Sequence, residues 1–461
     1  MFARLKAKLK AIPCLPLIVV LTGLRLIAAA RAGLAPDESY YWLWAQHPAF
    51  GYYDHPPMAA WWIGAFTFAC KSALCVRLPF VLSFIAVCWL VYDAGKALFD
   101  AAVARRALLW LNACLLLGVG TVLATPDPPS VLMWAGGLWA LARLVKSGDG
   151  RWWLVFGLFA GLGVLAKYTN LFLGLGVLLW LAADRDARRW LASPWLWLGG
   201  LVALAVMAPN LVWNAQHGWI TVAKQFGRIE ASHFTPRYLL EFLISQPLLL
   251  NPFVAAFAGL AVMRGFRAKT QAGSLLIALP APLLAYMLIH VFHDRIQGNW
   301  PAPTFPGLVL LAASAGDAWP LARRAAAPFG VGVSALVLIL LACGAAKQTE
   351  GWDQLAQRID AARHATGAAW IATTDYDMQG ELSYHLPAAT VAATAERARY
   401  AWADRDPAGK ALIVVAAGHT PALDRCFSDV QALGTVTRAA SHKGDARLYT
   451  GVPRAPGCDT D

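Results

Sequence analysis

The residues with the most chemistry in them sit close together in "LAPDESYYWLWAQHPAFGYYDHPPMAAWW", residues 34–62, where Asp37, Glu38, Asp54 and His55 lie among tyrosines, tryptophans and prolines. A carboxylate beside an aromatic surface can serve as general base toward an acceptor hydroxyl. The same loop ends at Arg77, and later loops add Asp127 in "ATPDPPS", Lys167 and Tyr168 in "LAKYTN", and Arg295 and Asn299 in "HDRIQGNWPAPTF". The loop "WNAQHGWITVAKQFGRIEASHF" contributes His217, Lys224, Arg228, Glu230 and His233. Lys and Arg can stabilise a phosphate leaving group, Arg through two parallel hydrogen bonds. Aromatic rings stack on the apolar faces of a sugar while carboxylates bind its hydroxyls. Together these residue types suit transfer of a group from a membrane-embedded lipid phosphate.

Taken singly, each has a plainer role. Pro36-Asp37-Glu38 suits the first turn of a helix, so capping and chemistry both stand for Asp37. His55 before two prolines suits a turn, Asp127 between prolines suits a helix start, and Lys167 can snorkel at a membrane boundary. His217, Lys224, Arg228 and His233 read as loop surface. What favours chemistry is convergence, because ionisable groups at membrane depth are functional candidates by default.

The elements that must position them are membrane helices. Of 461 residues, 58% are hydrophobic and 14% charged, and the mean hydropathy is +0.50. Apolar stretches of roughly 18 to 25 residues, each long enough to cross a bilayer, recur between residues 12 and 346. The chain therefore reads as a polytopic α-helical membrane protein. Its net charge of +12 resides in short basic clusters between these stretches, the pattern that fixes topology rather than one that binds nucleic acid.

The first stretch follows Arg4, Lys6, Lys8 and Lys10, and its length favours a retained anchor over a cleaved leader. Starting from an inside N-terminus, residues 57–72 obey the charge rule only as an interfacial helix, with Trp61 and Trp62 at the surface. The segment 152–183 must enter and return, which puts Lys167 at the bottom of an outer depression. Spans are expected near 78–96, 107–124, 129–146, 195–213, 238–263, 272–292, 301–319 and 328–346, about eleven crossings in all by this rule. The division falls into a membrane domain at 1–348, with its first outer loop at 31–77, and a small outer α/β domain at 349–461. Cys70/Cys75 and Cys426/Cys458 lie outside the apolar stretches, where a disulfide in either pair stays open.

The motifs "PDESYYWLWAQHPAFGYYDHPPMAAWW", "ATPDPPS", "LAKYTN", "PNLVWNAQHGW" and "GNWPAPTFP", in this order, resemble the bacterial members of glycosyltransferase family 39. That group is similar to protein O-mannosyltransferases and to the aminoarabinose transferase of lipid A, enzymes of the GT-C membrane fold. The resemblance covers most of residues 30–320. It implies an inverting enzyme on the periplasmic face of the bacterial inner membrane, with the N-terminus cytoplasmic and the C-terminal domain periplasmic. The implied donor is a polyprenyl-phosphate sugar, and the implied acceptor is lipid A or lipopolysaccharide, a phospholipid or a protein. By the same likeness Asp37 is the first-loop base, Glu38 stands beside it, and Asp127 is a second acid at a span's outer end.

Asp54-His55-Pro56-Pro57 matches the place where the aminoarabinose transferase has Glu-Lys-Pro-Pro, its acid near a divalent metal ion and its lysine near the donor phosphate. Asp and His replace that pair here, and the protein mannosyltransferases also have His-Pro-Pro. Donor binding is then expected of Asp54, His55, Arg77, Lys167, Tyr168, Arg295 and Asn299, with His217 as a metal ligand. Two other readings compete. A lipid-linked sugar flippase or transporter would move lipid without forming product, and it usually shows internal repeats and midplane charges, neither evident here. A non-catalytic assembly subunit would tolerate changes at Asp37, Asp127 and Lys167. Neither sugar nor acceptor is specified by these residues.

Overall fold

In the computed structural model, residues 14–227, 234–268, 270–403, 407–439, 444–455 and 457–460 are described. The basic N-terminus, Arg228, Glu230 and His233 lie outside the described residues. The chain forms two compact units, one of residues 1–26, 55–58 and 78–339, the other of residues 27–54, 59–77 and 340–461.

The first unit is helical. Helix α1 (Leu15–Arg31) enters it, and α4 (Ala73–Leu98) supplies its longest helix. Next come α5 (Ala101–Asn112), α6 (Leu115–Gly120) and α7 (Asp127–Ser147). Helix α7 begins at Asp127 with two prolines in its first turn, whose missing N–H groups would have no helical partner there anyway. It stops at Gly148, whose φ of 67° suits a left-handed C-cap.

Helices α8 (Trp152–Ala166) and α9 (Leu171–Ala183) follow, joined by a single 3-10 turn at Tyr168–Asn170. At 15 and 13 residues, each is shorter than the roughly 20 residues of a full crossing. The turn carries Lys167, as expected. Helix α10 (Pro194–Gln216) crosses α8 backbone to backbone, and the short α11 (Ile220–Gly227) follows it. A Cβ on Gly157 would lie 2.0 Å from the Gly199 carbonyl oxygen, so only glycine permits this approach.

The sequence led us to expect one span near 238–263, and the segment there is built from two helices. Helices α12 (Leu239–Leu250) and α13 (Pro252–Ala268) occupy it, bent by 101°. Asn251 between them has a φ of 97°, and Pro252 cannot supply the N–H that would continue a helix. The expected 107–124 span is likewise two helices, α5 and α6. Beyond lie α14 (Gln271–Ala278), α15 (Ala281–His290), α16 (Phe305–Ser314) and α17 (Pro320–Ala342).

Among the described residues, four helices are individually long and apolar enough to cross a membrane, or up to six if each bent pair is one span. Other apolar segments, including those of α8, α9 and α16, form shorter helices. Exposed Trp197, Leu201 and Leu204 on α10, with Leu336 and Ile339 on α17, present apolar surface that water would not tolerate over such areas. The unit is a polytopic helical membrane body.

In the second unit, α2 (Pro36–Gln46) and the larger part of α3 (Met58–Thr67) join α18 (Trp352–Ala365) and α19 (Tyr376–His385) around a five-stranded sheet. The strands are β1 (Trp370–Thr373), β2 (Val391–Ala393), β3 (Ala411–Ala416), β4 (Phe427–Val436) and β5 (Ala446–Pro453), ordered β2-β1-β3-β5-β4. Strands β1, β2 and β3 are parallel, and β5 runs antiparallel to β3 and β4. By contact, the first loop clusters with the C-terminal residues. The reason is visible where α2 meets α19. A Cβ on Gly380 would stand 2.7 Å from the Tyr40 backbone nitrogen, so the two helices touch through their main chains. Disulfides close Cys70 to Cys75 and Cys426 to Cys458 within this unit.

Candidate functional site

The polar residues form two clusters, one in each unit. In the helical unit, the Lys167 ammonium donates to Asp127 Oδ1 at 2.7 Å, and Asn299 Nδ2 donates to Asp127 Oδ2 at 2.6 Å. Asp127 is presented by the first turn of α7, and Lys167 by the break between α8 and α9. Lys167 is 7% exposed, so it is a buried cation balanced by a carboxylate rather than a snorkelling one. Three expected residues from distant loops are brought together here. Tyr168 donates to Asn210 Oδ1 at 2.9 Å and accepts from Asn214 Nδ2 at 3.0 Å. The two asparagines belong to the "PNLVWNAQHGW" motif, in which only His217 had been singled out. Their spacing of four, one helical turn, was the available signal.

Two expected members of this cluster are corrected. Arg295 does not join it, since its guanidinium forks onto Glu241 at 2.9 and 2.5 Å with both side chains exposed. His217 caps the end of α10, with Nδ1 2.7 Å from the Trp213 carbonyl oxygen and its ring stacked on Trp213 at 4.0 Å. It is an exposed helix-end residue. His55 is half-buried, followed by buried Pro56 and Pro57.

In the second unit, adjacent acids at the start of α2 differ sharply in burial. Glu38 is fully buried, and Arg77 holds both its oxygens, Nε at 2.8 Å and Nη2 at 2.5 Å. The remaining Arg77 donors reach the carbonyls of Ala29, Ala32 and Gly33, and Glu38 also accepts from the Ala35 backbone N–H. The catalytic role expected of Glu38 and the phosphate-binding role expected of Arg77 are therefore corrected. Each spends its charge on the other, and together they tie the first loop to the end of α1. Asp37, one residue earlier, is exposed, and Tyr376 Oη donates to its Oδ1 at a long 3.4 Å. This is the accessible acid.

Asp54 is 8% exposed and accepts from Tyr40 Oη at 3.0 Å and from Arg399 Nη1. Arg399 is in turn gripped by Glu396 through Nε at 2.7 Å and Nη2 at 2.8 Å. Glu396 is a non-glycine residue with a φ of 46°, a conformation that costs on the order of 1 kcal/mol and persists where surrounding contacts impose it. Arg399, Glu396 and Tyr376 were not among the expected residues. "TAERARYAW" carries no motif, and only the folded contact marks it.

The resemblance implied a divalent metal beside the acid at Asp54. Here an oxygen of that carboxylate is taken by a guanidinium and a phenol. Among the described residues no three His, Cys, Asp or Glu side chains gather as a ligand set. The donors do not fit a divalent ion, and no step below is routed through one.

Asp377, at the start of α19, has its carboxyl pushed up to about 7 by burial, then by the charges of Asp375, Asp37 and Glu381. The folded state thus holds this proton more tightly than the unfolded chain, where the ordinary value is 3.8. Ionising it costs stability increasingly as pH rises through that window. Asp377→Asn should accordingly raise the thermal midpoint at about pH 8 and give a smaller gain at about pH 5. Equal gains at both values would remove Asp377 as the titrating group.

The family model described as dolichyl-phosphate-mannose-protein mannosyltransferase matches residues 54–213. The lipid A galacturonosyltransferase RgtD of Rhizobium johnstonii is 26% identical over 374 residues, 76% of this chain and 77% of that protein. Among solved structures, ArnT of Cupriavidus metallidurans bound to undecaprenyl phosphate superposes with a TM-score of 0.68 at 15% identity, over 94% of this chain and 97% of that one. The oligosaccharyltransferase of Archaeoglobus fulgidus, tethered to an acceptor peptide, gives 0.51 at 10% identity, over 82% of this chain and 63% of that one.

Proposed function

We propose that this chain, a glycosyltransferase of the family-39-like GT-C type, moves a sugar from a polyprenyl-phosphate donor to an envelope acceptor with inversion. The observation that carries the reading is Asp37, an exposed carboxylate set one residue before a buried, fully paired one. An acid left accessible in an otherwise locked helix start is what a general base requires. In the step, Asp37 takes the proton of the acceptor hydroxyl, and the acceptor oxygen bonds to the anomeric carbon. The bond from that carbon to the phosphate oxygen breaks, and its electron pair leaves with the polyprenyl phosphate. We assign Lys167, held by Asp127, as the cation that meets the donor phosphate, with Asn299 and Tyr168 steadying that cluster. Asp54 and His55 are assigned to the donor sugar.

On this reading the membrane part crosses about eleven times, with the N-terminus cytoplasmic and the loop and C-terminal residues periplasmic. The two disulfides, Cys70 to Cys75 and Cys426 to Cys458, support an oxidising compartment for both segments. RgtD, named for lipid A and galacturonic acid, suggests a hexuronic acid and lipid A as the first pair to examine. Mass spectrometry of envelope lipids and glycans, from cells with and without the chain, tests the reading. A species heavier by one sugar only when the chain is present is the expected result, and it identifies sugar and acceptor at once. Identical envelope profiles would overturn the proposal.

A further inference from the structure

We infer that Arg399, carried by the C-terminal residues, is a positioning residue for sugar transfer, holding the Asp54 carboxylate in the orientation that the donor sugar meets. The inference rests on the glycosyltransferase reading above. Glu396 takes two of the three guanidinium nitrogens, Nε and Nη2, and so aims the third, Nη1, at Asp54. The guanidinium plane is caged by the rings of Tyr376 at 4.9 Å, Tyr53 at 5.0 Å and Tyr40 at 5.9 Å. These are cation–π distances, and they restrict the fork on the sides where Glu396 does not.

The same residues reach two of the three acids of the first loop. Tyr40 donates to Asp54, and Tyr376, part of the Arg399 cage, donates to Asp37. An exposed structural ion pair would need none of this. Arg399 is 8% exposed and Asp54 likewise. Ordering a carboxylate by a preorganised, desolvated fork is the arrangement that fixes geometry for a reacting group. It also explains why the first loop clusters with the C-terminal residues, because the loop acid is completed by a side chain some 345 positions away in sequence.

The test uses full-length protein in detergent, with a synthetic polyprenyl-phosphate sugar and extracted lipid acceptor. Arg399→Ala should lower turnover by about 100-fold, the cost of misplacing a reacting group by an ångström, and added guanidinium ion should restore part of it. Arg399→Lys should fall between, keeping the charge and losing the fork. Asp54→Asn combined with Arg399→Ala should be little worse than either alone, since both remove one assembly. Turnover of Arg399→Ala within a few-fold of the intact chain, or additive losses in the double variant, would overturn the positioning role. So would a loss that guanidinium cannot touch and that Arg399→Lys shares in full, the mark of a purely structural contact. If the intact chain itself transfers no sugar, the failure belongs to the glycosyltransferase reading rather than to Arg399.

Discussion

Asp37→Asn should abolish sugar transfer while leaving the protein inserted and as thermostable as the intact chain. The amide keeps the size of the carboxylate and its ability to accept from Tyr376, so the first turn of α2 loses no packing. What it loses is the capacity to take a proton. Removing a general base typically costs on the order of 10²- to 10⁴-fold in rate, and an exposed acid contributes little to stability. The measurement is turnover on purified protein beside a thermal unfolding midpoint. Turnover within a few-fold of the intact chain would take Asp37 out of the mechanism. A lowered midpoint would reassign it to the helix start, the plainer role that Pro36-Asp37-Glu38 also suggested.

Much of the arrangement was legible in the sequence where a single segment carries the information. The charge rule placed Lys167 at the turn of a paired, short-helix segment, and α8 and α9 meet there. The proline-flanked Asp127 begins a helix, as its neighbours required. What the sequence did not disclose were pairings between distant residues. Glu38 and Asp37 are indistinguishable as letters, and only the approach of Arg77, 39 residues later, separates the buried one from the exposed one. Arg295 was expected to hold the phosphate as a cation of an outer loop, yet Glu241 claims it. Arg399 had no motif at all. The bend at Asn251 was hidden by continuous hydropathy, since apolarity reports depth in lipid and says nothing of φ. Binary pattern specifies burial, whereas charge pairing is a property of the assembled fold.

Glu38→Ala should produce the opposite phenotype to its neighbour. The ion pair it makes with Arg77 has no exposure on either side, and deleting one partner leaves a guanidinium buried without its counter-charge. Such losses amount to about 3–5 kcal/mol, enough to consume much of the stability of a marginal unit. The expected observation is a sharp fall in the yield of folded protein and in its unfolding midpoint. Molecules that do fold should retain turnover, because the Glu38 carboxylate is fully buried and held by Arg77. Glu38→Leu together with Arg77→Met removes both charges and should recover part of the loss. Recovery stays incomplete, since Arg77 also satisfies the carbonyls of Ala29, Ala32 and Gly33, which the double variant orphans. A Glu38→Ala protein that is stable but inactive would restore Glu38 to the chemistry and make the buried pair a means of holding a catalytic acid. Adjacent acids with exchanged phenotypes, one losing rate and the other losing fold, would separate the two functions of this loop within a single helical turn.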